Sequence, residues 1–197
     1  MIYLSIIIPL YNLQNLIIPC LNSIPIRDDI EIIVIDDNST DDSLDVVECW
    51  MLENKRDIRL ICSKTNDGCA ASFDKGLDIA KGEYIVQLDA DDYLYTDNFC
   101  NLLDQRYTED MIWFDLESRD FIWKKSLMPE MIDHSCLFRR EFIGDIRMPN
   151  VRHSGGLPFY KELMAKPHTE RYTHMLCYYY NFPRENSIRD RVNKGEL

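Results

Sequence analysis

The segment YIVQLDADDYL, from Tyr84 to Leu94, joins a short apolar run to three closely spaced carboxylates. The run YIVQL is typical of a buried β-strand, and Asp89, Asp91 and Asp92 follow it at once. At a separation of about 4 Å and an effective dielectric constant near 20, two such charges repel each other by roughly 4 kcal/mol. A partner must offset this repulsion, and the nature of that partner indicates the function of the site.

The apolar run is the last of four similar strands that alternate with helices. The predicted strands are apolar on both faces and cover residues 4–9, 31–36, 58–62 and 84–88. Helices are predicted at residues 16–23, from a cap at Thr40 or Asp41 to about 53, and at 69–80, with Gly82 as a left-handed cap. Such a pattern indicates a mostly parallel sheet covered on both sides by helices. We therefore predict an α/β fold with a Rossmann-like sheet.

The second half of the chain is less regular, but no linker separates it from the first. The predicted strands there cover residues 111–115, 121–124 and 175–180, and the predicted helices cover residues 141–143 and 159–165. A chain of 197 residues without a Gly- or Pro-rich boundary is expected to form one domain. We predict a single domain over residues 1–197, in which residues 96–197 fold back onto the sheet that residues 1–95 begin.

Polar residues follow each predicted strand where the strand ends. They are Tyr11 and Asn12, Asp36 and Asp37, Asn66 and Asp67, and the three carboxylates after the fourth strand. In open parallel sheets, ligands bind at this edge. In an extended segment residues i and i+2 point the same way, so Asp89 and Asp91 should project together. Their oxygen atoms suit a hard divalent cation, Mg²⁺ or Mn²⁺, although a solvated acidic turn is the alternative.

Composition and charge exclude several classes of protein. A net charge of −12 argues against nucleic-acid binding, which needs a basic surface. The phosphate-binding patterns GxGxxG and GxxxxGK[ST] are absent. Seven scattered cysteines without a CxxC pair favour reduced thiols in the cytoplasm. The N-terminal run MIYLSIIIPL lacks the features of a signal peptide and is too short to span a bilayer, which leaves peripheral membrane association open.

The chain resembles the nucleotide-sugar glycosyltransferases of the inverting family 2, which have the GT-A fold. Three segments carry the resemblance in the expected order: SIIIPLYN (5–12), EIIVIDDNSTDDS (31–43) and NDGCAASFDKGLDIAKGEYIVQLDADD (66–92). Two looser matches are HSCLFRREFI (134–143) and YYYNFPRENSI (178–188). The resemblance implies inverting transfer of a sugar from a nucleotide diphosphate, here UDP, to a glycan or lipid-linked glycan. It also implies that Mg²⁺ or Mn²⁺ is the cofactor and that the protein is cytoplasmic and acts at the cytoplasmic face of the inner membrane.

The resemblance also assigns roles to individual residues. Pro9 and Tyr11 resemble the loop that packs against the nucleotide base, and Asp37 resembles the residue that hydrogen-bonds the base. Asp89 resembles the residue that contacts the ribose or helps to hold the metal, and Asp91 resembles the direct metal ligand. An alternative stays open for each of two residues. For Tyr11 it is a tyrosine buried in the core, and for Asp37 it is a turn residue that caps the next helix.

Two departures from the family pattern affect the predicted chemistry. The usual Ala-Arg-Asn is replaced by Ser72, Phe73 and Asp74, so an arginine is missing. The position of the general base, usually an aspartate, falls at Gly155-Gly156. An inverting transferase needs a base for the acceptor hydroxyl, and the nearby candidates are Glu162, Asp145 and His153. The alternative is a degenerate transferase that binds nucleotide or glycan without turnover as a partner subunit.

Overall fold

The structure, a computed structural model, describes residues 1–120, 122–124, 134–149 and 156–181. In chain order the strands are β1 (Leu4–Leu10), β2 (Ile30–Asp36), β3 (Ile58–Cys62), β4 (Tyr84–Gln87), β5 (Tyr93–Leu94), β6 (Met111–Glu117), β7 (Ile122–Trp123), β8 (Cys136–Arg139) and β9 (Glu170–Tyr179). The helices are α1 (Ile17–Ser23), α2 (Ser43–Asn54), α3 (Cys69–Ile79), α4 (Thr96–Asp104), α5 (Arg140–Ile143) and α6 (Gly156–Met164).

The strands form one mixed sheet in the order β3-β2-β1-β4-β8-β6-β9-β5, with β7 paired to β6. The first four are parallel to one another. Strand β8 then runs antiparallel between β4 and β6, and β9 runs parallel to β6. The predicted α/β fold is confirmed, and among the described residues β6, β7, β8 and β9 belong to the same sheet as β1 to β4.

Two apolar cores lie on the two faces of the sheet. Ile6 and Ile7, adjacent in β1, are both fully buried but belong to different cores. The first core contains side chains of α1, α2 and α4, and the second contains side chains of α3, α5 and α6. Because successive strand residues point to opposite faces, a strand covered on both sides is apolar at almost every position. The exception in β1 is Ser5, whose buried hydroxyl donates to Glu31 Oε1 at 2.6 Å.

Three predicted helix boundaries needed correction, one of them the start of α6, which is Gly156 and not residue 159. Gly82 is not the cap of α3, since that helix ends at Ile79 and Ala80 is already extended. A side chain at Gly82 would place its Cβ 2.4 Å from the Ser5 backbone nitrogen, so glycine is required there by the close approach to β1. Helix α2 begins at Ser43 with Asp42 at its N-cap position, one residue after Asp41 and two after Thr40, which were the predicted caps. Asp41 accepts a hydrogen bond from the Ser43 N–H at 3.0 Å.

Three elements were not predicted from the sequence: β5, α4 and β8. Helix α4 did carry a signal, because Phe99, Leu102 and Leu103 are buried at the helical spacing of three and four residues. Strand β8 has four residues and β5 has two, which is too short for a periodic pattern. Across the described residues, the structure contains no helix with the length and apolar character needed to cross a membrane.

Candidate active site

The sheet order brings three polar loops together at one edge. Asp37 follows β2, Tyr11 follows β1 and Asp89 follows β4, and these strands are neighbours in the order β2-β1-β4. Because the three strands are parallel, their carboxyl ends meet at the same edge. Two strand spacings separate β2 from β4, a distance of about 10 Å. The edge can therefore present several polar groups to one extended ligand.

The acidic cluster after β4 is a turn and not the extended segment that the sequence suggested. The Asp92 N–H donates to the Asp89 carbonyl oxygen at 3.0 Å, which closes four residues into a turn. One carboxylate oxygen from each of Asp89, Asp91 and Asp92 lies within 4.8 Å of the others. The turn therefore adds Asp92 to the pair, whereas an extended chain would have pointed it away.

Asp89 has two side-chain neighbours that the sequence did not identify. The Gln87 Nε2 donates to one carboxylate oxygen of Asp89 at 2.8 Å. The His134 Nε2 lies 3.7 Å from the other oxygen. The His134 ring is also stacked on Tyr180, with centroids 6.0 Å apart. His134 opens the segment before β8, so only the tertiary fold brings it beside the turn.

Asp92 lies behind the other two carboxylates and is only 2% exposed, whereas Asp89 and Asp91 are partly exposed. Its Oδ2 accepts a hydrogen bond from the Tyr178 hydroxyl at 2.6 Å, and its Oδ1 accepts one from the Asn181 N–H at 2.8 Å. Burial raises the pKa of Asp92 well above its usual range, and the charges of Asp89 and Asp91 raise it further.

The donor atoms of the turn fit a divalent cation. All three groups offer carboxylate oxygen, the ligand type that Mg²⁺ and Mn²⁺ prefer, and two of them are open to solvent. A cation at Asp89 and Asp91 would offset their mutual repulsion and still have coordination positions for phosphate oxygens. The turn is thus suited to a metal that also binds a diphosphate.

Asp37 is buried and fastens the loop between β3 and α3. Its two carboxylate oxygens accept hydrogen bonds from the backbone N–H groups of Asp67, at 3.0 Å, and Gly68, at 2.7 Å. The Lys75 Nζ holds the same loop through Asp67 Oδ2, at 2.8 Å, and through Ser63 Oγ, at 2.8 Å. In this structure Asp37 thus bonds the loop before α3, and each of its oxygens accepts one backbone hydrogen bond.

Tyr11 lies at the rim of the site and is 44% exposed, so it is not a core residue. Asn12, which follows it, has a positive φ of 53°, and its N–H donates to Ser39 Oγ at 3.0 Å. Its side-chain oxygen accepts a hydrogen bond from the Thr40 N–H at 2.8 Å. These bonds fix the loop that carries Tyr11. Pro9 lies opposite Ile35 near the end of β1 and is partly exposed.

The position at which the family has an arginine is part of the core in this chain. Phe73 is 2% exposed and contacts Phe159 edge to face, with ring centroids 6.0 Å apart. The next residue, Asp74, accepts a hydrogen bond from the Met148 N–H at 3.1 Å, and burial raises the pKa of its carboxyl group. This segment therefore links α3 to the chain after α5.

The candidates for the general base lie in the second half of the chain. Asp145 is exposed in the turn after α5, and Glu162 is exposed in α6. Gly156 is buried and is the first residue of α6. His153 and Gly155 lie outside the described residues. The assignment of a base to one of these candidates stays a prediction.

Comparison with known proteins agrees with this architecture. The family model of glycosyl transferase family 2 matches residues 5–110, more than half of the chain. An uncharacterized glycosyltransferase from Haemophilus influenzae is 32% identical over 173 residues, covering 76% of this chain and 67% of the relative. The Escherichia coli protein WfaP, a UDP-Glc:alpha-D-GlcNAc-diphosphoundecaprenol beta-1,3-glucosyltransferase, is 41% identical over 110 residues, covering 53% of this chain and 41% of the relative.

Solved structures match the fold over almost the whole chain. TarS residues 1–349 from S. aureus, in complex with UDP-GlcNAc, superposes with a TM-score of 0.81 at 21% identity, covering 94% of this chain and 60% of that one. The mannosyltransferase PcManGT from Pyrobaculum calidifontis, in complex with GDP-Man and Mn²⁺, gives a TM-score of 0.79 at 20% identity, covering 97% and 60%. The fold is thus that of the GT-A glycosyltransferases, and the chain belongs to glycosyl transferase family 2.

Proposed function

We propose that the protein transfers a sugar from a nucleotide diphosphate, UDP, to an acceptor hydroxyl with inversion at the sugar carbon. The observation that carries the proposal is the shared sheet edge, where Asp37 and Tyr11 lie next to the acidic turn that begins at Asp89. A nucleotide sugar has an aromatic base, a ribose and a charged diphosphate in series. The order of groups along the edge matches that series.

The base end of the donor is assigned to Pro9, Tyr11 and Asp37. The exposed ring of Tyr11 offers a face on which uracil can stack. The Asp37 carboxylate is already held in place by two backbone N–H groups, so its remaining lone pairs have a fixed direction. A carboxylate accepts from the N3–H of uracil and discriminates against bases without that donor. The bound UDP-GlcNAc of TarS is consistent with a uridine donor.

The diphosphate end is assigned to Asp89 and Asp91, which would hold Mg²⁺ or Mn²⁺. When bound, the metal supplies positive charge that stabilises the leaving diphosphate. Gln87 orients the Asp89 carboxylate from behind, at 2.8 Å, so that the oxygens of Asp89 keep one direction. The Mn²⁺ in the PcManGT complex supports a divalent ion at a site of this kind.

The acceptor is assigned to a glycan or a lipid-linked glycan, bound by residues of the second half. WfaP has a diphosphoundecaprenol-linked acceptor by name, and it matches residues over 53% of this chain. Such an acceptor places the reaction at the cytoplasmic face of a membrane, with the protein held there peripherally. One of Glu162, Asp145 and His153 takes the proton from the acceptor hydroxyl.

The proposal is tested by measuring UDP binding and UDP release. Calorimetry with Mn²⁺ and with EDTA should give UDP binding that depends on the metal. A panel of UDP-sugars, each mixed with undecaprenyl-diphosphate-linked sugars, should release UDP with at least one pair. The proposal fails if UDP does not bind. Metal-dependent binding with no release from any donor and acceptor would favour the non-catalytic partner subunit instead.

A further inference from the structure

A continuous chain of hydrogen bonds joins the end of β9 to the acidic turn. The Asp89 backbone N–H donates to the Tyr178 hydroxyl oxygen at 3.2 Å, and that hydroxyl donates to Asp92 Oδ2 at 2.6 Å. The other Asp92 oxygen accepts from the Asn181 N–H. The Asp92 carboxylate therefore binds both the Tyr178 side chain in β9 and the backbone of Asn181 just after β9, and the Tyr178 hydroxyl binds the backbone of Asp89.

We propose that Asp92 is a positioning residue and not a metal ligand: through Tyr178 it fixes the backbone of Asp89 and so aligns the two carboxylates that face the donor. This inference rests on the proposed metal-dependent donor site. It separates the three carboxylates into two roles, although all three offer an oxygen within 4.8 Å of the others.

Burial and hydrogen bonding separate the roles. Asp92 is 2% exposed and Tyr178 is fully buried, so the pair lies beneath the turn, away from the side that a diphosphate can approach. Both Asp92 oxygens already accept a hydrogen bond. Asp89 and Asp91 are the partly exposed members of the cluster.

The sheet pairing shows why this bond matters for alignment. Strand β5 follows the turn directly, and its two residues pair with β9 at Tyr93–Tyr179 and Leu94–Tyr178. The turn is thus held between β4 on one side and β9 on the other. The second half of the chain, which the proposed function assigns to the acceptor, is connected to the metal-facing carboxylates through Asp92.

The role is tested by comparing Asp92→Asn, Tyr178→Phe and the double variant with Asp91→Asn. Free Mn²⁺ is measured by electron paramagnetic resonance as Mn²⁺ is titrated into protein with saturating UDP. Loss of an outer partner typically lowers metal affinity by roughly 10–100-fold, so Asp92→Asn and Tyr178→Phe should each weaken Mn²⁺ by about tenfold. The double variant should bind Mn²⁺ no more weakly than the weaker-binding single variant, because both changes break the same hydrogen bond. Asp91→Asn should bind Mn²⁺ more weakly than either single variant.

Tyr179→Phe is the matched control, since Tyr179 is the adjacent tyrosine and stacks on Tyr93 at 4.5 Å, on the other side of β9. It should leave Mn²⁺ affinity unchanged. The inference is overturned if Asp92→Asn matches Asp91→Asn while Tyr178→Phe has no effect, which is the result for a direct ligand. It is also overturned if both variants lower only the melting temperature. A wild type that binds no Mn²⁺ with UDP would instead overturn the proposed function, and the positioning role with it.

Discussion

Residues 1–95 and the described part of residues 96–181 contribute to one sheet in different ways. In the first region β1 to β4 are parallel, and helices connect them, so the polar loops after β1, β2 and β4 fall on one edge. In the second region β8 enters antiparallel beside β4, and β9 joins β6 from far along the chain. The polar edge is therefore built from consecutive strand–helix units, and two neighbours of its acidic turn, His134 and Tyr178, come from distant segments.

The comparison shows which region supplies the residues proposed to contact the donor and which region supplies the residues that hold them in place. Groups that are proposed to touch the donor, such as Asp37 and Asp91, follow directly from a strand end in the first region. Groups that hold them, such as Tyr178, depend on how the second region packs. Substitutions in the first region should therefore change binding of the donor. Those in the second region should change the alignment of the donor-site carboxylates and the reaction of the acceptor.

The largest expected effect concerns the proposed acceptor base in the second region. General-base catalysis typically contributes 10²–10⁴-fold, so replacing the base should lower single-turnover sugar transfer by about that factor while UDP binding is retained. The variants are Glu162→Gln, Asp145→Asn and His153→Gln. Glu162 and Asp145 are exposed, so the Glu162→Gln and Asp145→Asn variants should fold normally. If none of the three lowers the rate, Gly156→Asp should raise it.

The control for these variants is the affinity for UDP, measured by calorimetry, which none of them should change. A wild type that turns over well, with a rate that none of the four substitutions alters, would contradict the placement of the general base at or near Gly155-Gly156.

The second prediction concerns the proposed metal site in the first region. Asp91→Asn should weaken Mn²⁺-dependent UDP binding by more than about 100-fold, since changes to outer partners alone account for roughly 10–100-fold. The melting temperature should not fall, because removal of one charge relieves repulsion from Asp89 and Asp92. Asp97→Asn, an exposed carboxylate in α4, is the control and should change neither quantity. A large fall in melting temperature with unchanged UDP affinity would show that Asp91 is structural.

The sequence predicted the first region well because its signals are local. Strand β3 was predicted with its observed bounds, Ile58–Cys62, since an apolar run between helices is legible without knowledge of its neighbours. The acidic turn was located but described as extended, and the shape of a turn depends on the single bond between the Asp92 N–H and the Asp89 carbonyl oxygen. The position of Asp92 behind the other carboxylates could not be read from spacing.

The second region was predicted less well because its elements are set by tertiary contacts. Strand β8 has four residues and gains its place by pairing with β4 and β6. His134 reaches Asp89 only because of that insertion. No sequence pattern relates Tyr178 to Asp92, which lie 86 positions apart. The loose family match over residues 134–143 and 178–188 did contain both His134 and Tyr178, but it assigned them no role.

The third prediction separates two roles of Asp37. Asp37→Ala should lower the free energy of unfolding by about 2–6 kcal/mol, because two backbone N–H groups lose their partner at roughly 1–3 kcal/mol each. It should also weaken UDP binding by about 1–3 kcal/mol. Chemical denaturation and calorimetry measure the two effects. Lys75→Met is the matched control, since Lys75 holds the same loop but has no proposed contact with the base. If Lys75→Met weakens UDP binding as much as Asp37→Ala, Asp37 acts through the loop alone.

The smallest expected effect lies far from the active site, where the two regions are joined by ion pairs. Asp29, in the segment before β2, binds Arg27, at 2.9 Å, and Arg106, which follows α4. Arg27 in turn binds Asp104 of α4 at 2.6 Å. The hydrogen bond from Arg27 is the main cause that lowers the Asp29 pKa from 3.8 to about 2.

A carboxyl group with a lowered pKa in the folded state stabilises the fold above its unfolded pKa, and that stability is lost as the pH falls towards the folded value. Asp29→Asn should therefore lower the free energy of unfolding at pH 7 by about 1 kcal/mol, since solvent screens a side chain that is 21% exposed. The difference from the wild type should shrink between about pH 4 and pH 2 and vanish below it. Denaturation across this range is the measurement, with the exposed neighbour Asp28→Asn as the control. A difference that stays constant down to pH 2 would mean that Asp29 joins the regions by packing and not by charge.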